Sequence, residues 1–137
     1  MKDNVFVDSN IIIYARTNDD IAKHKQAKAF FIAHSKDNIF ISTQVLSESY
    51  NALRRHGVAI ADRHATIDYC IRKMNVLSVT TNTVKLCLEL EKQYGYSYWD
   101  SLILAAAFDG NCSVIYSEDM QHGQIINSKL KIINPFA

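Results

Sequence analysis

The sequence predicts an α/β domain built on a mostly parallel sheet with helices on both faces, and three observations predict it. Short apolar runs alternate along the chain with longer segments of helical period. Gly and cap residues fall between the two kinds of segment. Only one Pro and four Gly are available to interrupt regular structure in 137 residues. Alternation of this kind implies βαβ crossovers, and crossovers of that length join parallel strands. The length suits one domain over residues 1–137, long enough to bury a core.

The elements follow in order. Val5 to Val7 is a first strand that ends at an acid. Helical period then runs from about Asp20 to Ala33, with Ile21, Ala29, Phe30 and Ala33 as its apolar stripe. Asp37-Asn38 makes a turn into a second strand, Ile39 to Ile41. Ser42 and Thr43 are cap candidates for a helix carrying Val45, Leu46, Ser49, Ala52 and Leu53 to a stop at Gly57. A further helix covers about Ile60 to Met74, and Val76 to Val79 is a third strand. Thr80 to Thr83 can cap a helix through Leu86 and Leu90 that ends at Gly95. Tyr98 to Asp109 is a nearly all-apolar helix stopped at Gly110; Ser113 to Tyr116 is the fourth strand, and Lys131 to Ile133 closes the sheet before Pro135.

Composition narrows the class. With 48% hydrophobic and 21% charged residues the chain is no disordered segment. The apolar run after Met1–Asn4 is too short for a signal-peptide core, and none approaches the roughly 20 residues of a membrane span, so a soluble cytoplasmic protein is expected. Cys70, Cys87 and Cys112 are odd in number and embedded in apolar patterns, which points to packing rather than disulfides or thiolate metal sites. The five His show no metal-ligand spacing. A net charge of +1 argues against a strongly basic nucleic-acid grip. Neutralising four of the 14 acids, however, leaves 15 basic residues against 10 acidic ones. The basic residues also gather early, with 11 Lys or Arg against 8 acids in residues 1–73.

Parallel topology turns four scattered acids into one site. Strands that point the same way share one carboxyl edge, where open α/β folds place ligands. Asp8 directly follows strand one, and Asp119 lies just past strand four. A helix leading into a strand starts at the same edge, which puts Asp100 there in a first turn. Glu48, in the first two turns of the helix after strand two, can reach back to it. Converging carboxylates repel, so without a cation at least one would keep its proton. An oxygen-only donor set without His or Cys selects Mg²⁺ or Mn²⁺ over zinc, and such an ion can activate water and steady a phosphoryl group for hydrolysis.

These residues carry a resemblance. Val5-Phe6-Val7-Asp8-Ser9-Asn10 opens the chain, Ser42-Thr43-Gln44-Val45-Leu46-Ser47-Glu48 follows the second strand, and Tyr98-Trp99-Asp100-Ser101-Leu102 and Ile115-Tyr116-Ser117-Glu118-Asp119 complete the order, with Asn134-Pro135-Phe136 at the end. The sequence resembles the PIN-domain nucleases, in particular the toxin components of VapBC-type toxin-antitoxin pairs. The resemblance implies a three-layer α/β/α sandwich, Mg²⁺- or Mn²⁺-dependent endoribonuclease activity on RNA, and a small antitoxin that silences the toxin. By position it assigns Asp8, Glu48, Asp100 and Asp119 as the acids, with Asn10 and Ser117 orienting metal or water. Glu118 could compete for the fourth place, but the pattern of a hydroxyl residue, any residue, then Asp favours Asp119. Electrostatics adds the expectation of a homodimer and of a partner peptide that brings an Arg or Lys among the carboxylates.

The same residues bear on rival readings. A haloacid-dehalogenase-type phosphatase wants a second Asp where Asn10 stands, a receiver domain wants paired acids after strand one, and no GxGxxG or P-loop spacing is present. The serious alternative is a non-catalytic RNA- or protein-interaction module on the same scaffold. The residues have plainer roles too: Asp8 as a helix cap, Asp100 as a dipole complement, Glu48 as a solvated helix residue. Tyr98 and Trp99, opening an apolar helix, are expected to pack rather than stack on bases.

Overall fold

The computed structural model describes residues 2–137. β1 (Asn4–Val7) leads into α1 (Ser9–Arg16) and α2 (Ile21–Ala33), and β2 (Asn38–Ser42) into α3 (Thr43–Arg55) and α4 (Ile60–Lys73). β3 (Asn75–Leu77) is followed by α5 (Thr81–Tyr94) and α6 (Tyr98–Asp109), then β4 (Val114–Tyr116), β5 (Ile125–Ile126) and β6 (Leu130–Ile133). The strands form one sheet in the order β3-β2-β1-β4-β6-β5, parallel throughout except for the antiparallel pairing of β5 with β6. Successive strand residues face opposite sides of a sheet. Val5, Phe6 and Val7 of the central β1 are all buried, so both faces are covered, as the fold class requires.

Strand order reverses between β1 and β4: β2 and β3 lie to one side of β1, β4 and β6 to the other. This is the switch point at which parallel α/β sheets open a crevice beyond their carboxyl ends. Val7 pairs with Tyr116 at that end, and the Asp8 N–H donates to the Tyr116 carbonyl at 3.0 Å, so the pairing runs to the lip of the crevice.

α6 holds the middle of the core, with residues 101 to 107 all buried, as expected of a helix apolar all round. Gly57 and Gly95 end α3 and α5 in the left-handed region, at φ of 78° and 77°. Gly110 ends α6 for another reason. Its φ is −86°, but a Cβ there would sit 3.0 Å from Leu77 Cδ1 and 3.2 Å from Phe40 Cδ1, so the helix end approaches the side chains of β2 and β3 closely enough that a larger residue would make them shift.

Four expectations need correction. The stretch from Ser9 to Arg16, left without an element in the sequence, is α1; its run Ile11-Ile12-Ile13 carries no helical signal of its own, and Asp8 supplies the cap. The stripe of α2 is not Ile21, Ala29 and Ala33, which are exposed. Ala27 and Phe30 are buried, and half-buried Lys23 and His34 extend their line at helical spacing, so polar residues with apolar stems hid the true face. The edge strand β5 was also missed, since two residues give no period. The third strand ends at Leu77 rather than Val79, whose N–H donates to Thr43 Oγ1 instead of to a neighbouring strand. All three cysteines are free and buried, as packing residues would be.

Candidate active site

The crevice at the β1–β4 lip is built from four stretches of chain. Asp8 leaves β1 with an extended backbone and caps α1, its Oδ1 accepting from the Ser9 N–H at 2.7 Å. It is thus both a cap and a buried acid, only 4% exposed. Its Oδ2 accepts from Ser117 Oγ at 2.8 Å. Ser117, fully buried just beyond β4, accepts from the Asp119 N–H at 3.2 Å, so one hydroxyl ties Asp8 to the turn that carries Asp119. Asn10, in the first turn of α1, donates from Nδ2 to Asp119 Oδ2 at 3.0 Å. Its Oδ1 is buried with no hydrogen-bond partner.

Glu48 comes from the second turn of α3, which Ser42 caps by accepting from the Val45 N–H. Gln44, one turn earlier, donates to Glu48 Oε2 at 3.2 Å and to the Trp99 carbonyl at 3.0 Å, tying α3 to the start of α6. Asp100 lies in the first turn of α6, where its N–H donates to the capping Ser97 Oγ. The amino ends of α1, α3 and α6 therefore all meet this rim and add partial positive charge to it.

The acids feel one another. Burial pushes the Asp8 carboxyl up to about 7, against hydrogen bonds from Ser117 and Ser9 that pull it down, with the charges of Glu48 and Asp119 adding to the rise. Glu48 is raised by burial and by the Asp100 and Asp119 charges, opposed by hydrogen bonds from Gln44 and Ser9. Asp100 is raised by burial and then by Asp119. The four acids singled out in the sequence are thus brought within electrostatic reach of one another. Among the described residues, however, no three His, Cys, Asp or Glu side chains form a ready-made metal-holding group.

Glu118 points elsewhere. It accepts from Lys23 Nζ at 2.8 Å and from the Tyr14 hydroxyl, and Lys23 also stands over the Tyr14 and Phe136 rings. Trp99 departs from expectation as well: it is 61% exposed, while half-buried Tyr98 packs edge-on against it with ring centroids 5.0 Å apart. Two residues that organise the site were missed in the sequence. Gln44 was within reach, because it stands one helical turn before Glu48. The Lys23–Glu118 pair joins residues 95 positions apart and leaves no local signal.

The PIN domain family model matches residues 5–125. Among solved structures, the chain is similar to VapC20 of Mycobacterium tuberculosis, described as a toxin that cleaves the sarcin-ricin loop, with 23% identity and a TM-score of 0.69 over 84% of this chain and 89% of that one. A toxin-antitoxin complex from Klebsiella pneumoniae matches at 18% identity and a TM-score of 0.70, covering 96% of this chain and 97% of the other. VapBC2 of Rickettsia felis, solved with a DNA fragment from its promoter, matches at 16% identity and 0.65 over 96% and 99%. At such identities the likeness shows the shared fold. No functionally curated protein gives a significant match.

Proposed function

This chain belongs to the PIN-domain family, and from that premise we propose that it is a Mg²⁺- or Mn²⁺-dependent endoribonuclease, the toxin of a toxin-antitoxin pair. Asp8, Glu48, Asp100 and Asp119 are its catalytic and metal-holding acids, supported by Asn10 and Ser117. The observation that carries the proposal is the gathering of these acids at the strand-order reversal, with Asp8, Glu48 and Asp100 all raised above their ordinary range. Raised carboxyls crowded at one rim suit a divalent cation that would restore their charge, while the three helix amino ends there favour a phosphate anion beside it. The donor set is oxygen only, and the unpartnered Asn10 Oδ1 offers one more hard acceptor.

A bound ion would supply water activation and charge relief at the scissile phosphate. The chain's own residues do the rest. Ser117 fixes the Asp8 carboxylate and the Asp119 backbone together, Asn10 holds the Asp119 side chain, and Gln44 sets the height of Glu48 against α6. Ion-paired Glu118 is left out of this set.

The test is incubation with total cellular RNA, with Mg²⁺ or Mn²⁺ and with chelator, mapping new ends. Cleavage that needs the ion and fails in Asp8→Asn supports the reading. RNA that stays intact with either ion supports the alternative of a non-catalytic RNA- or protein-interaction module. The similar toxin-antitoxin structures support a small cognate antitoxin as partner, and the homodimer is part of the same proposal. The antitoxin's Arg or Lys would enter the acidic rim. Co-expression with the neighbouring open reading frame, followed by co-purification and mass measurement, tests both; a lone monomer refutes them. No described helix is long and apolar enough to cross a membrane.

A further inference from the structure

We propose that Trp99 and Gln44 form a nucleobase subsite that seats an unpaired base of the RNA next to the cut; the proposal rests on the nuclease reading above. Beside the carboxylates, on the β2–β3 side, lies a cavity of about 500 Å³ between Glu48 and Trp99, bounded by Val79 and Leu102 and by Gln44 at the start of α3. It is continuous with the acidic crevice, because Glu48 lines it and Asp100 directly follows Trp99.

Two observations point to a base as its occupant. Trp99 opens an otherwise buried helix yet leaves 61% of its surface in solvent, its ring in T-shaped contact with Tyr98. An exposed aromatic face beside a single-stranded backbone path is the usual platform for base stacking. The second observation is Gln44. Its Nε2 donates to Glu48 and to the Trp99 carbonyl, which fixes the amide orientation, since a flip would set oxygen against two acceptors. Its Oε1 is buried, lacks any partner and belongs to a residue lining the cavity. An acceptor without a partner calls for an N–H donor, which every base carries on its Watson–Crick edge. Face and edge of one base are thereby met by Trp99 and Gln44, which a hydrogen bond joins.

Trp99 is the chain's only tryptophan, so indole fluorescence reports this position alone. Asp8→Asn protein in Mg²⁺ is titrated with a mixed-sequence single-stranded oligoribonucleotide and with a matched abasic oligomer, while anisotropy of an end label follows binding independently. The base-bearing strand is expected to quench the indole to saturation and the abasic one to leave it unchanged. In the otherwise wild-type enzyme, Trp99→Ala is expected to raise KM about 10-fold with little change in kcat, and Trp99→Phe to restore most of the loss. Unquenched fluorescence at saturating RNA, or unchanged KM in Trp99→Ala, overturns the subsite and leaves the nuclease standing. A wild-type chain that neither binds nor cuts RNA overturns both. A Trp99→Ala substitution that lowers the solution mass from dimer to monomer makes this face a protein interface and also overturns the subsite.

Discussion

Replacing Asp8 by Asn is expected to stabilise the metal-free protein, and to do so only above mildly acidic pH. The Asp8 carboxyl ordinarily ionises at 3.8 and is pushed up to about 7 in the folded chain, chiefly by burial. Between those values the folded state holds a proton that the unfolded chain has released, so stability is fully present below pH 3.8 and is lost as pH rises to about 7. Three units at about 1.4 kcal/mol each come to about 4 kcal/mol over the window, of which about 3 kcal/mol falls between pH 5 and 8. Asn carries no charge to desolvate and remains a good N-cap for the Ser9 N–H. Its amide can still meet Ser117 Oγ, so the hydrogen-bond loss is about 1 kcal/mol. At pH 8 the variant should therefore exceed wild type by about 3 kcal/mol, a rise in melting temperature of about 10 °C for a chain of this size, and at pH 4, where only the hydrogen-bond loss remains, it should fall about 1 kcal/mol below wild type. The assay is urea or thermal unfolding in chelator across this pH range. The Asn variant should keep a shallower slope of the same sign, because Glu48 and Asp100 are also raised. Wild-type stability that stays level or climbs from pH 5 to 8, or an unaltered slope in Asp8→Asn, would refute the reasoning.

Other expectations follow from the same geometry. Asp100→Asn and Asp119→Asn should each cut RNA hydrolysis by about 10²-fold or more, the scale of removing one transition-state electrostatic contact, whereas Glu118→Gln should keep most activity; an initial-rate assay in Mg²⁺ that ranks them otherwise reverses the choice of Asp119. Ser117→Ala removes the donor to buried Asp8 and the acceptor for the Asp119 N–H, and should cost about 1–3 kcal/mol in unfolding measurements as well as activity. Gly110→Ala drives a methyl against Leu77 and Phe40 and should cost about 1–3 kcal/mol while leaving any cleavage by folded protein intact; a stable variant would mean the helix end can yield.

How much of this was legible in the sequence depends on where the information lay. Strands, most helices and the shared edge follow from period, caps and glycine stops, all local signals. Parallel order then sufficed to bring Asp8, Glu48, Asp100 and Asp119 to one rim, because β2, β1 and β4 are neighbours. What escaped was either too short to have a period, as in β5, or carried by residues whose chemistry misleads. A run of three Ile does not announce the helix α1, and Lys23 and His34 extend a buried face that looks polar on paper. Trp99 shows the limit most plainly. Aromatic residues opening an apolar helix usually pack, yet the turn of α6 aims this one outward, and only its neighbours Tyr98 and Gln44 reveal why it stays there.

The site's electrostatics and the protein's stability pull in opposite directions, which bears on when the chain is active. A buried Asp8 with a hydroxyl, a backbone N–H and two further acids around it is expensive to ionise in the absence of a cation. Whatever neutralises that rim, a divalent ion or the basic side chain of a partner, gains the desolvation energy already invested there, since it binds the folded and not the unfolded chain. The two kinds of occupant then compete for one source of free energy at one place. If both bind there, chelator should strengthen partner binding and excess Mg²⁺ should weaken it. Partner affinity independent of Mg²⁺, measured by calorimetry on the co-purified complex, would separate the partner's surface from the acidic rim.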